Sequence, residues 1–243
     1  MRRVHRNELL FQDRLELYKR SKGVTNSADA RKAWKSYRAS ISSRQVIATL
    51  AQMTGNRKRC VYCCDSRSSD VDHFVPISQR FDYTLRWSNL ILICPECNRY
   101  KGSSFKLDAN GEPLLVDPTR IDPWVHLVLD HDTGILAPRF INPVGFDESG
   151  EYTLDLLSPL NDEATAEGRR RTAEAFCDMS ATTLTEGDNL GIRKQWARII
   201  AYDDYGLAPW FAFWEGSTAA DFPNVKREFP LLWRRFIVMA ANR

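Results

Sequence analysis

Four cysteines fall in two pairs that have the spacing of a zinc site. Cys60 and Cys63 form the first pair, and Cys94 and Cys97 form the second pair after thirty intervening residues. Four thiolates suit tetrahedral Zn²⁺, and each pair can hold the ion from a tight turn. The spacing therefore predicts a structural zinc site. Because Cys64 directly follows Cys63, either of them could be the second ligand, and the standard spacing favours Cys63.

The rest of the chain argues against a disulfide or redox role for these cysteines. The basic N-terminus, Met1–Arg6, has no apolar stretch and no cleavage site behind it, and no apolar run approaches the length of a membrane span. We therefore expect a cytoplasmic protein, in which free thiols indicate metal binding or catalysis. A redox pair is disfavoured, because there are two pairs and no thioredoxin-like strand and helix around them.

Residues in and just after the cysteine bracket have the chemistry needed for phosphodiester hydrolysis. That reaction needs an activated water, a cation on the phosphate and help for the leaving oxygen. His73 suits a general base because its ordinary pKa lies near neutrality. Asp72 offers an oxygen ligand for Mg²⁺ or Mn²⁺, and Asn98 could add an amide oxygen. Neighbours on a strand point to opposite faces, so we expect irregular backbone at Asp72 and His73 if they share a site.

The segment from about residue 57 to residue 105 resembles the HNH nuclease family. The resemblance rests on V-D-H-F-V-P-I-S, W-S-N-L-I-L-I-C and C-P-E-C-N-R-Y-K-G. It implies a ββα-metal fold in which His73 is the general base, and Asp72 and Asn98 bind the catalytic Mg²⁺ or Mn²⁺. It also implies that Asn89 holds the loop and orients the base through backbone hydrogen bonds. With an asparagine at the last motif position, the chain looks like an H-N-N variant.

Positive charge precedes the motif and extends into it. Residues 1–59 carry a net charge of +11, whereas residues 107–243 carry −9. A basic region before a nuclease-like module fits contact with a phosphate backbone. We expect Arg59, Arg99 and Lys101 to bind the substrate, the last two by analogy with the family.

Length and periodicity predict a mainly helical α+β protein built around a zinc-stabilised ββα-metal core. We divide it into a basic helical N-terminal region (1–56), the nuclease core (57–106) and an extension (107–243) that is first turn-rich and then helical. The patterns predict helices over Ser43–Met53 and from Asn161 to Phe176, and a strand over Val71–Ile77. They also predict short strands or extended segments at Leu114–Val116 and Leu127–Leu129.

A looser resemblance lies beyond the core. Residues 117–136 look like the extension of bacterial HNH proteins that act beside an ATPase in anti-phage defence, such as the HNH subunits of Septu-type and retron-linked systems. It implies an ATPase encoded nearby as a partner, with the acidic C-terminal half as a docking or regulatory surface.

These observations lead to a primary function and to alternatives from other classes. The primary reading is a metal-dependent HNH endonuclease that hydrolyses DNA, as the effector of an anti-phage defence system. The same cysteines and basic arm would also serve a non-catalytic zinc-dependent module that binds nucleic acid. RNA, including tRNA, stays open as the substrate, because the chemistry needs only a phosphodiester.

Overall fold

The computed structural model describes residues 1–241, which form helices and short two-stranded sheets. The helices are α1 (Phe11–Ser21), α2 (Ser27–Arg38), α3 (Ser42–Met53), α4 (Pro95–Lys101), α5 (Glu148–Leu156), α6 (Glu163–Glu186), α7 (Leu190–Ala201), α8 (Leu207–Phe213), α9 (Phe222–Glu228) and α10 (Pro230–Ala241). The strands are β1 (Asp70–His73), β2 (Leu90–Ile93), β3 (Leu127–Leu129), β4 (Leu136–Pro138), β5 (Phe140–Ile141) and β6 (Gly145–Phe146). The predicted mainly helical α+β class is confirmed.

The centre of the molecule is a hairpin of β1 and β2 followed by α4. The two strands pair antiparallel, with Asp70 opposite Ile93 and His73 opposite Leu90. All four residues of β2 are buried and apolar, whereas burial alternates along β1. The alternation places Asp70 and Asp72 on one face of β1, and Val71 and His73 on the other. Pro95 opens α4 at its first position, where a missing N–H costs nothing.

The backbone of β1 differs from our expectation in two ways. The strand stops at His73 instead of running to Ile77, because the Asn89 N–H bonds to the Arg86 carbonyl and the Val75 N–H bonds to the Asn89 side chain. We also expected irregular backbone at Asp72 and His73, but β1 keeps regular pairing through both residues. The two side chains therefore leave the strand on opposite faces, and the chain bends only after His73.

The N-terminal region packs against the hairpin and is not a separate arm. Helix α2 begins after Asn26, whose side chain accepts hydrogen bonds from two backbone N–H groups of the first turn. Tyr37 on α2 and Val46 on α3 share one hydrophobic cluster with Leu90 and Leu92 of β2. Helices α1 to α3 therefore cover the face of the hairpin to which His73 points.

The helices of the extension enclose an aromatic core. Phe176, Trp196, Phe211, Phe222 and Phe236 are buried there, with ring centroids 4.6 to 6.3 Å apart. Trp210 joins Phe211 in this core, whereas Phe213 is half exposed. Helix α6 continues ten residues beyond the predicted end and stops before a glycine with a φ of 76°.

Ion pairs and hydrogen bonds fasten the extension to the cysteine-rich turn. Asp204 pairs with Arg57 and with Arg59, whose Nε lies 3.2 Å from the carboxylate. The Tyr205 hydroxyl donates to the Asp65 carboxylate at 2.8 Å. Among residues 1–241, no helix has the length and apolar character needed to cross a membrane.

Arg6 links the N-terminal segment to the nuclease core and to the extension, so we expect its loss to destabilise the fold. Its guanidinium donates to the carbonyls of Trp87 and Leu90 and to the Thr119 hydroxyl, at 2.8 to 2.9 Å. Arg6→Ala leaves these acceptors unpaired and should lower the free energy of unfolding by roughly 3 kcal/mol. Urea denaturation followed by circular dichroism measures this change. Arg14→Ala, at an exposed position of α1, should change it by less than about 0.5 kcal/mol. Equal losses in the two variants would contradict this role of Arg6.

Candidate nuclease site

The side chains of Cys60, Cys63, Cys94 and Cys97 meet in a buried cluster. Their Sγ atoms all lie within 4.8 Å of one another, and those of Cys63 and Cys94 are 3.9 Å apart. A tetrahedral zinc ion with Zn–S bonds of about 2.3 Å places its sulfurs about 3.8 Å apart. The cluster thus has the composition and dimensions of a structural zinc site. The Cys97 backbone N–H also points at the Cys94 sulfur, at 3.4 Å.

The backbone conformation brings the Cys63 side chain, and not that of Cys64, into the sulfur cluster. Cys64 has a φ of 62°, and its buried side chain joins the hydrophobic cluster of the extension instead of the sulfur cluster. Burial also raises the pKa of the Cys60 thiol well above its ordinary value. Buried thiols lose their protons readily only when a cation stabilises the thiolates, which is what zinc would supply.

His73 is held in one orientation from two sides. Its Nε2 lies 2.9 Å from the Thr84 carbonyl oxygen, and the ring stands edge-on to Trp34 of α2, with centroids 4.7 Å apart. A carbonyl can only accept, so Nε2 carries the proton and Nδ1 keeps its lone pair. Only 6% of His73 is exposed. Burial lowers its pKa below the ordinary value, against the opposing charge of Asp72, so the neutral, basic form is favoured.

Asn89 closes the loop that supplies this carbonyl. Its Oδ1 accepts from the Val75 N–H at 2.8 Å, and its Nδ2 donates to the carbonyls of Val75 and Tyr83 at 3.1 and 3.2 Å. Tyr83 directly precedes Thr84, so the amide fixes the peptide next to the one that receives Nε2 of His73. The family resemblance implies a loop-holding role for Asn89, which stays a prediction.

The opposite face of β1 carries oxygen ligands and meets α4. Asp72 Oδ2 lies 2.8 Å from Lys101 Nζ, and Asn98 Nδ2 donates to Asp70 Oδ2 at 2.9 Å. Asn98 and Lys101 are one helical turn apart on α4, so both face the strand. Carboxylate and amide oxygens are the ligands that Mg²⁺ and Mn²⁺ prefer. The Asp72 side chain is 13% exposed, although its Oδ2 is buried against Lys101.

The structure places the three predicted substrate-binding cations in different environments. Lys101 is 0% exposed and is engaged by Asp72 and by the His73 carbonyl at 2.9 Å, so it does not face a phosphate. Arg59 is held by Asp204 and by the Asp65 carbonyl, on the side where the extension docks. Arg99 is 73% exposed, forms a loose ion pair with Glu96 at 3.5 Å, and has its guanidinium carbon 5.7 Å from the centroid of the Tyr100 ring.

Three residues around the site were not predicted. Thr84 contacts His73 through its backbone carbonyl, and every residue type has that group, so the sequence does not identify the position. Trp34 lies almost forty residues before His73, and no motif links the two positions. Asp70 could have been found, because Asp-Val-Asp on a strand puts both carboxylates on one face.

Comparison with known proteins identifies the segment that carries this geometry. Residues 60–104 match the model of the HNH endonuclease family. This segment is an HNH endonuclease domain. The resemblance predicted from the motifs is thereby confirmed, and the domain belongs to a class of phosphodiester hydrolases.

The chain is also similar to a protein of known family. Septu protein PtuB of Bacillus thuringiensis is 32% identical over 83 residues, which make up 32% of this chain and 31% of that protein. The match therefore spans about a third of the relative's length, and it agrees with the looser resemblance to Septu-type HNH subunits.

The sulfur geometry predicts opposite effects of changing two adjacent cysteines. Cys63→Ser removes one of four ligands, so the purified protein should lose most of its zinc. Cys64→Ala removes a neighbouring buried thiol of the same size and should keep the zinc content of the parent. Mass spectrometric metal analysis measures the ratio of zinc to protein. Zinc loss in the Cys64 variant together with retention in the Cys63 variant would reverse the ligand assignment.

Proposed function

We propose that the chain is a metal-dependent HNH endonuclease that hydrolyses phosphodiester bonds in DNA. One observation supports this reading above the others: the Thr84 carbonyl receives Nε2 of His73 and so makes Nδ1 the basic atom. Among the described residues, Nδ1 has no hydrogen-bond partner. A nitrogen lone pair that is oriented and uncommitted can accept a proton from a water molecule.

The proposed base and the proposed cation ligands lie on opposite faces of β1. Asp72 and Asn98 would hold the divalent cation on the side of α4, and His73 lies on the side of α2. When bound, Mg²⁺ or Mn²⁺ would polarise a phosphoryl oxygen and stabilise the developing charge. A phosphodiester that reaches both groups must lie at the end of the strand. There His73 Nδ1 takes a proton from the attacking water, while Lys101 keeps the Asp72 carboxylate in place.

The exposed face of α2 is a better candidate for phosphate contact than two of the cations predicted from the motif. Arg31, Lys35 and Arg38 form an exposed stripe on this helix. Arg31 and Arg38 lie three and four residues from Trp34, so they are its neighbours on the helix surface. The stripe therefore borders the residue that covers His73. Arg99 remains the third site of proposed phosphate contact.

The cellular setting is also part of the proposal. Free thiols in a zinc cluster fit the reducing cytoplasm. Similarity to a Septu protein supports a role in anti-phage defence. The ATPase partner suggested by residues 117–136 remains a prediction, as does a docking or regulatory role for the extension at 107–243.

His73→Ala should abolish DNA cleavage and leave the zinc content unchanged. Loss of a positioned general base lowers rates by about 100-fold or more. The measurement is plasmid cleavage with Mg²⁺ or Mn²⁺, with RNA and tRNA assayed in parallel. His131→Ala, a change in a loop of the extension, should cut like the parent.

Each alternative outcome of this assay has a defined meaning. Undiminished cutting by the His73 variant would remove this residue from the proposed mechanism. Cleavage of RNA but not DNA would change the substrate. Salt-sensitive DNA binding without cleavage in either metal would favour the non-catalytic zinc module.

Neutralising the α2 stripe should weaken DNA binding and its dependence on salt. Each lost phosphate contact reduces the slope of log affinity against log salt by about 0.9 for duplex DNA. Arg31→Gln, Lys35→Gln and Arg38→Gln combined, in the His73→Ala background, should reduce this slope by about 2.7 if each cation contacts one phosphate. Fluorescence anisotropy across a salt series measures it.

The control removes the same charge from another exposed surface. Lys194→Gln, Arg198→Gln and Arg234→Gln together change α7 and α10, where these residues are exposed. This variant should keep most of the parent's slope. Equal reductions in both variants would show that net charge, and not the stripe, determines affinity.

A further inference from the structure

The carboxylate of Asp70 is held between two donors on the face of β1 that we assign to the cation. Its Oδ1 accepts from the Ser69 hydroxyl at 2.9 Å, and its Oδ2 accepts from Asn98 Nδ2 at 2.9 Å. Both oxygens are therefore engaged by the protein. Asp70 lies two residues before Asp72 on the strand, so both side chains point to the same face. Asp70 lies outside the motif from which the site was predicted.

The bond between Asp70 and Asn98 determines which end of the amide is free. An asparagine side chain has an NH₂ donor and one oxygen acceptor, whereas an ionised carboxylate can only accept. Asn98 must therefore present its NH₂ group to Asp70. Its Oδ1, the one side-chain atom of Asn98 able to bind a cation, is then directed away from Asp70.

We infer that Asp70 is a positioning residue for the divalent cation, which acts by orienting the Asn98 amide so that Oδ1 serves as a ligand. The inference rests on the proposed function, because it requires a cation between Asp72 and Asn98. It assigns Asp70 an action through Asn98, to which its Oδ2 is bonded, and a double-mutant cycle separates this action from direct ligation. Ligand-orienting partners of this kind typically affect metal affinity about 10- to 100-fold.

Mn²⁺ affinity, measured by isothermal titration calorimetry on the zinc-loaded full chain, tests this inference without relying on cleavage. Asp70→Asn keeps the shape of the side chain but can donate as well as accept, so it no longer selects one amide orientation. We expect Mn²⁺ to bind about 10-fold more weakly to this variant. Asp155→Asn removes the same charge from an exposed position of α5 and should bind Mn²⁺ like the parent.

A double-mutant cycle separates orientation from direct ligation. In the Asn98→Ala background there is no amide to orient, so adding Asp70→Asn should change Mn²⁺ affinity by less than about twofold. An equal loss in both backgrounds would make Asp70 a direct ligand and overturn the inference. Unchanged affinity of the Asp70→Asn single variant would overturn it as well. Zinc content and circular dichroism confirm that each variant is folded.

Two further variants distinguish failure of this inference from failure of the proposed function. Asp72→Asn and Asn98→Ala should each weaken Mn²⁺ binding if the cation binds where we propose. If neither does, the proposed cation site itself is wrong. If both do while Asp70→Asn binds Mn²⁺ like the parent, only the orienting role of Asp70 is lost.

Discussion

The convergence of four sulfur atoms is the constraint on which the rest of the site depends. Strands of four residues in a two-stranded sheet are too short to be stable alone. The sulfur cluster joins the turn before β1 to the start of α4, and so it closes the segment between Cys63 and Cys94 into a loop with fixed ends. Helix α4 then lies against β1, and the spacing along that helix brings Asn98 and Lys101 to the carboxylates. A metal held by sulfur would thus position a site made of oxygen and nitrogen.

Regular strand geometry divides the site into two environments. His73 points toward α2, where Trp34 covers one side of the ring and burial lowers the pKa of the imidazole. Asp72 points to the opposite side, where a buried lysine and an asparagine form a polar layer. A neutral base and an ionised carboxylate, each needed at neutral pH, are therefore adjacent in the sequence but separated by the plane of the strand. Different parts of the chain build the two layers.

Motif spacing predicted the core of this arrangement because the ligands lie at turns and element ends, where residue type reflects local geometry. The sulfur cluster, the ββα order and the positions of His73 and Asn89 are of this kind. Lys101 was assigned to the substrate because sequence order does not show which face of a short helix is covered. Arg59 was assigned likewise, since its partner Asp204 lies in the extension. Neither the docking of distant segments nor a backbone carbonyl such as that of Thr84 leaves a periodic signal.

Trp34 belongs to α2, whereas the family match begins at Cys60. The segment that matches the family model therefore lacks one side of the environment around its own histidine. A graft of residues 60–104 onto another scaffold would carry the motif but leave the imidazole hydrated on that side. A protein that joined the same module to a different upstream helix would need another residue to cover this side of the imidazole. The reactivity of the histidine could then change while every residue of the motif stayed the same.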